Sequence, residues 1–281
     1  MPLLRLAGQC APARSILRIL AAHQDWPASL DHHGAQPGGL ITHTTRAVTL
    51  ALAHPGAHDP RLRTAFLLTV LAHDVGKVIA YEKHPAGRYV YRSYYHANKS
   101  ADVLVAAGVY HAFSRDLAEA ILIALRCSAG KALTPVPENT PVEAKTLLHW
   151  LTEVDHAAVE QDVEDLKQVV EHADYPALLT AVLAAPAPVV DLPPPLYTAG
   201  GSPYLIRDPA RMVLVHLLGL EAHPGVHATV GRRDPVWDKL KAVLKETGAS
   251  TGKEEKIEIP GITKPLSGVP LSGAFLKEHG V

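Results

Sequence analysis

Four side chains of this 281-residue chain have the types and spacing to share one divalent cation: His43, the adjacent pair His73 and Asp74, and Asp155. Imidazole nitrogen and carboxylate oxygen are ordinary ligands of Mn²⁺, Fe²⁺, Ni²⁺ and Zn²⁺, and such ligands commonly come from separate segments of a fold. A cation held this way can act as a Lewis acid and acidify a coordinated water.

The elements around these residues must bring them together. The run AFLLTVLA at 65–72 is apolar throughout, so it predicts a buried helix that delivers His73 and Asp74 at its C-terminal end, with Gly76 as the stop. Thr140, Pro141 and Glu143 read as a capping box opening a long helix. Along that helix Leu148, Leu151, Asp155 and Ala158 recur at helical spacing, which puts the Asp155 carboxylate on the core-facing stripe. A buried carboxylate needs a cation, a salt bridge or a proton. His43 falls in a third helix, at the margin of a face made by Leu40, Ala47 and Ala51.

With HDVGK at 73–77 and the order His, His-Asp, Asp, the chain resembles the HD-domain metal-dependent phosphohydrolases. The likeness covers roughly residues 15 to 160, with boundaries loose by a few residues. It implies a helical bundle in which His43, His73, Asp74 and Asp155 bind the metal. It further implies that Asp74 orients the attacking water as a general base and that Lys77 lies near the substrate phosphate. The segment PASLDHHGAQPGGLITHT at 27–44 is similar to that of two nucleic-acid-acting branches, the HD-type 3′ to 5′ exoribonucleases and the HD-type conjugative relaxases.

One departure bears on the number of ions. Where the exoribonuclease branch carries a His-His pair before the final Asp helix, this chain reads Arg126-Cys127-Ser128-Ala129-Gly130, so the expectation is one ion rather than two. His96 matches an intermediate family histidine and stands ready for a second ion or a phosphate. Arg126 offers a planar fork for phosphate or, equally, a cover for helix-end carbonyls. Cys127 reads as a small apolar side chain. His32 and His33, on a loop between Pro27 and Gly38, are candidate substrate contacts or a solvated pair.

Composition narrows the rest. At 47% hydrophobic and 20% charged, the chain supports one sizeable core and a small second unit. A net charge of −1 gives no bulk attraction to nucleic acid or anionic membrane, so any such contact is local. Two cysteines, Cys10 and Cys127, provide no disulfide framework, and the expected location is cytoplasmic. The N-terminal apolar residues are interrupted by Arg5, Arg14 and Arg18, unlike a signal peptide, and no run approaches the ~20 apolar residues of a membrane span. No phosphate-binding Gly-rich loop of the G-x-x-x-x-G-K-[ST] type occurs.

The expected fold is mainly α: an HD-type helical metal-binding domain at 1–183, a Pro/Gly-rich linker at 184–203, and a small C-terminal α+β unit at 204–281, winged-helix-like by analogy. That unit should hold helices opened by Asp208-Pro209 and Asp234-Pro235 and a strand at KIEIPGI. Arg232-Arg233 beside Lys239 is a candidate phosphate grip, and the unit is equally a candidate for protein partners. Helical periodicity elsewhere is broken by GRYVYRSYY at 87–95, a short strand or a lid-like loop whose tyrosines pack or stack bases. The expected function is a divalent-metal-dependent phosphodiesterase acting on nucleic acid, as a nuclease or in relaxase-like DNA processing. The alternatives are a small-nucleotide phosphohydrolase and a degenerate module that binds metal or nucleic acid in a transfer complex.

Overall fold

The computed structural model describes residues 8, 10–30, 35–85, 88–128, 135–227 and 234–278. The chain divides into two compact units, 1–162 and 163–281.

The first unit is helical. Its described elements are α1 (Ala11–Ala22), α2 (Gly39–Ala53), α3 (Arg63–Ala72), the single turn α4 (Lys77–Ala80), the hairpin of β1 (Tyr81–Lys83) and β2 (Tyr89–Tyr91), α5 (His96–Ala106), α6 (Val109–Ala112), α7 (Arg115–Cys127) and the first part of α8 (Val142–Glu171). The strands pair antiparallel, Tyr81 opposite Tyr91. The apolar run behaves as its composition demands: every residue of α3 from Ala65 to Ala72 is buried, so this helix is the centre of the unit. Ile16 and Leu20 of α1, Leu40, Ala47, Val48 and Ala51 of α2, Ile121 and Leu125 of α7, and Leu147, Leu151 and Val154 of α8 share one core with it. Phe66 and Trp150 meet edge to face at 5.3 Å, tying α3 to α8, and Gly56 lies so close to the Trp150 ring that a Cβ there would collide with it.

The start of α8 differs from the sequence reading. The Thr140 hydroxyl donates to the Pro137 carbonyl at 2.7 Å, closing the preceding turn instead of capping the helix.

The second unit contains the end of α8, α9 (Tyr175–Ala184), β3 (Leu196–Ala199), β4 (Ser202–Ile206), α10 (Arg207–Leu217), α11 (Pro235–Glu246), β5 (Glu255–Ile257), β6 (Leu266–Pro270) and α12 (Gly273–Glu278). Its antiparallel sheet has the order β3-β4-β6-β5. Trp237, Leu240 and Leu244 of α11 pack with Leu166, Val170, Tyr175, Leu179, Leu205 and Leu214 in a separate core. Asp234 caps α11, its carboxylate accepting from the Trp237 amide at 3.4 Å and from Arg211 Nε at 2.7 Å.

An α+β C-terminal unit is therefore present, but its boundary lies at 162/163, inside α8, and not in the Pro-rich stretch at 184–203. The physical reason is that Leu166 and Val170 continue an apolar stripe into the second core and α9 joins it. The expected linker is partly a strand: Gly200 and Gly201 take φ of 56° and 82° and turn β3 directly into β4. No described helix is long and apolar enough to cross a membrane.

Candidate metal centre

Three of the four expected ligands converge. His43, on the buried face of α2, His73, at the end of α3, and Asp155, midway along α8, form the described group of side chains able to share an ion. His43 Nε2 stands 2.9 Å from Asp155 Oδ1 and 3.3 Å from His73 Nε2, and the third side of this triangle, His73 Nε2 to Asp155 Oδ1, is 3.5 Å. Ligand atoms about 2.05 Å from one ion stand about 2.9 Å apart in octahedral and about 3.3 Å apart in tetrahedral coordination. The triangle fits that spacing with little adjustment.

Asp74 is adjacent but differently engaged. Its Oδ2 lies 3.4 Å from His73 Nε2 and 3.9 Å from His43 Nε2, while Lys77 Nζ donates to the same oxygen at 2.5 Å. Lys77, expected near a substrate phosphate, is buried and locked to Asp74 one turn earlier. His96, at the start of α5, approaches the other oxygen of Asp74, its Nε2 3.6 Å from Oδ1, and its side chain is 31% exposed. Asp155 is 36% exposed, so the cluster opens to solvent on the side of these two residues.

The backbone around HDVGK explains how the histidine is aimed. His73 Nδ1 donates to the Val70 carbonyl at 2.7 Å, which turns the lone pair of Nε2 toward the cluster. Ser100 of α5 donates to the His73 carbonyl at 2.7 Å and accepts from the Gly76 amide at 2.8 Å, bracing the turn between α3 and α4. Gly76 is right-handed, with φ −63°, so it is not a left-handed helix stop. It is needed because a Cβ there would run into the backbone of His96 and Ser100.

A second contact sets the register of α2 on α8. Arg46 Nε lies 3.1 Å from Asp162 Oδ1, a carboxylate only 1% exposed, three residues beyond His43 on one helix and seven beyond Asp155 on the other. Sequence reading did not single out Arg46 or Asp162, because their pairing depends on how the two helices are phased.

Electrostatics follow from this crowding. Burial opposes a charge on His73, yet the carboxylates of Asp74 and Asp155 outweigh it and raise its pKa to about 9. Burial would push Asp74 up, but Lys77 and His73 hold it well below the usual carboxylate range; Asp155 is likewise lowered, against its burial, by His43 and His73. His96 is depressed to about 4, first by burial and then by the charge of Lys77, and is neutral near pH 7. The buried Asp74 and the half-buried Asp155 carboxylates thus call for positive charge beside them, and a divalent cation would supply it.

The remaining expectations separate from the cluster. Arg126 is on the exposed surface of α7, where its charge acts on the Tyr110 phenol, and among the described residues no hydrogen bond or ion pair links it to the centre. Cys127 is buried. His32, His33, Ala129, Gly130, Arg232 and Arg233 lie outside the described residues.

No family model, curated protein or solved structure matches the chain.

Proposed function

We propose that the first unit is an HD-type, divalent-metal-dependent phosphohydrolase whose substrate is a phosphodiester of nucleic acid. The observation that carries this reading is the triangle of His43, His73 and Asp155, with sides of 2.9, 3.3 and 3.5 Å on three different helices. In it Asp74 is the fourth ligand, and one Mn²⁺, Fe²⁺, Ni²⁺ or Zn²⁺ ion is held. When bound, the cation supplies Lewis-acid polarisation of a phosphoryl oxygen and acidifies water.

The chain's own groups do the rest. Lys77 keeps Asp74 anionic and fixes its rotamer, so that Oδ1, the oxygen facing His96, can accept a hydrogen bond from the attacking water and orient it. His96, neutral and partly exposed, donates a hydrogen bond to a phosphate oxygen. In this reading Arg126 has no part, because no contact among the described residues ties it to the cluster. The nucleic-acid substrate rests on the resemblance of 27–44 and of HDVGK, and the open side at Asp155 and His96 suits an extended ester.

The test is hydrolysis of bis-p-nitrophenyl phosphate and of single-stranded DNA and RNA by EDTA-stripped protein with and without added Mn²⁺, comparing wild type with Asp74→Asn. Mn²⁺-dependent cleavage lost in the variant is the expected result. Cleavage by the stripped protein, or full activity in Asp74→Asn, contradicts the reading. Metal uptake without cleavage of any substrate would establish the binding-only module instead, a reading favoured by Arg126-Cys127 standing where a second histidine pair is expected.

A further inference from the structure

The β-hairpin and the segment leading from it into α5 carry tyrosines that the metal centre does not use. They form a ladder from the core outward. Tyr81 is buried, its hydroxyl donating to the Ala28 carbonyl at 3.5 Å, and its ring meets Tyr91 edge to face at 5.4 Å. Tyr91, half-buried, is stacked at 4.7 Å and 28° on Tyr94, which is 69% exposed. Tyr95 follows, 55% exposed. Rings this open are not packing residues, and a supported ring with a free face is a platform for another flat ring.

The chemistry on either side matches. From 81 to 99 the chain has four Lys and Arg residues against one acid, Glu82. Lys83 and Lys99 have carboxylate partners in Asp25 and Asp102, but Arg88 and Arg92 are exposed and make no ion pair among the described residues. The next residue after Tyr95 is His96, whose imidazole touches the centre through Asp74; adjacent Cα atoms are about 3.8 Å apart, so the strip ends at the cluster.

We propose that Tyr91, Tyr94 and Tyr95, with Arg88 and Arg92, form a track that holds a single-stranded nucleic acid as it reaches the metal centre. Bases stack on the exposed rings and the guanidinium groups take the phosphates. Unstacked bases are required, since the paired bases of a duplex do not offer their faces; a strip of rings on an open surface also suits a polymer better than a mononucleotide. This rests on the phosphohydrolase reading for its purpose but not for its measurement.

Binding is measured by fluorescence anisotropy on the full chain in EDTA, with labelled oligothymidylate, oligouridylate and a hairpin duplex. The Tyr94→Ala/Tyr95→Ala variant should bind both single strands about tenfold or more weakly, and Tyr94→Phe/Tyr95→Phe should keep the affinity within about twofold, because stacking needs the ring and not the hydroxyl. The two single-strand arms show whether DNA or RNA is preferred. Wild-type affinity in the alanine variant, equal binding of duplex and single strand, or no binding by the wild type overturns the track. A chain that hydrolyses bis-p-nitrophenyl phosphate while its alanine variant still holds the oligonucleotide sinks the track alone. One that loses the oligonucleotide but never hydrolyses sinks the hydrolase reading alone.

Discussion

The two units bury different things. In the first, His43, His73, Asp74 and Lys77 are all 5% exposed or less, crowded at the end of a helix whose last eight residues are buried. In the second, the core is made of Leu, Val, Ala and aromatic side chains, and charged groups sit in pairs open to solvent such as Lys239 with Glu171 and Lys241 with Asp238. Among the described residues, Asp234, paired with Arg211, is its nearest approach to a buried charge, and that carboxylate also caps a helix. Burying charge costs stability unless every member is paired, and among the described residues only the first unit gathers such a cluster.

The largest break in this comparison should come from Asp74→Ala. Removing the carboxylate strands Lys77 in the interior and should cost about 3–5 kcal/mol in urea denaturation, with loss of metal uptake. Gly76→Ala should follow at about 3 kcal/mol, since the methyl meets backbone that cannot turn aside; circular dichroism through a thermal melt reads it. In the second unit Asp234→Ala loses a cap and an ion pair, about 2 kcal/mol by the same assay, and should leave metal affinity untouched. Should metal affinity fall as well, the division of labour between the units is wrong.

A smaller effect sharpens the contrast through pH. His73 is raised from 6.5 to about 9, so in metal-free protein its contribution is fully present below pH 6.5 and is lost as pH climbs through about 9. The melting temperature of the stripped protein should fall by a few degrees over that window, and saturating Mn²⁺ should flatten the fall. An equal fall with metal bound would mean that His73 is not a ligand. Least of all should come from Lys239→Ala, an exposed pair in the second unit, whose removal should be invisible in a denaturation curve.

The sequence made the ligand helices legible because helical phase is a local property. AFLLTVLA had to be buried, and the spacing of Leu151, Asp155 and Ala158 turned the carboxylate toward the cluster, although it stays 36% exposed rather than sealed in the core. What it hid were relations between segments. Lys77 could be placed near a phosphate by analogy, but its bond to Asp74 depends on the tight turn at Gly76, and Gly76 itself is required by the backbone of α5 rather than by its own φ. Arg46 and Asp162 meet only once α2 and α8 are packed. The domain boundary was obscured by prolines: a Pro-rich stretch reads as a linker, whereas Leu166, Val170 and α9 commit the chain to the second core well before it. Gly200-Gly201, between two short β-prone runs, was a readable hairpin signal.

The most direct test of the account is calorimetric titration of Mn²⁺ into EDTA-stripped chain, wild type against Asp155→Ala. The account predicts one ion per wild-type chain and an affinity at least about a hundredfold weaker in the variant, because one corner of the triangle is gone. No uptake by the wild type, or equal uptake by both, would contradict it.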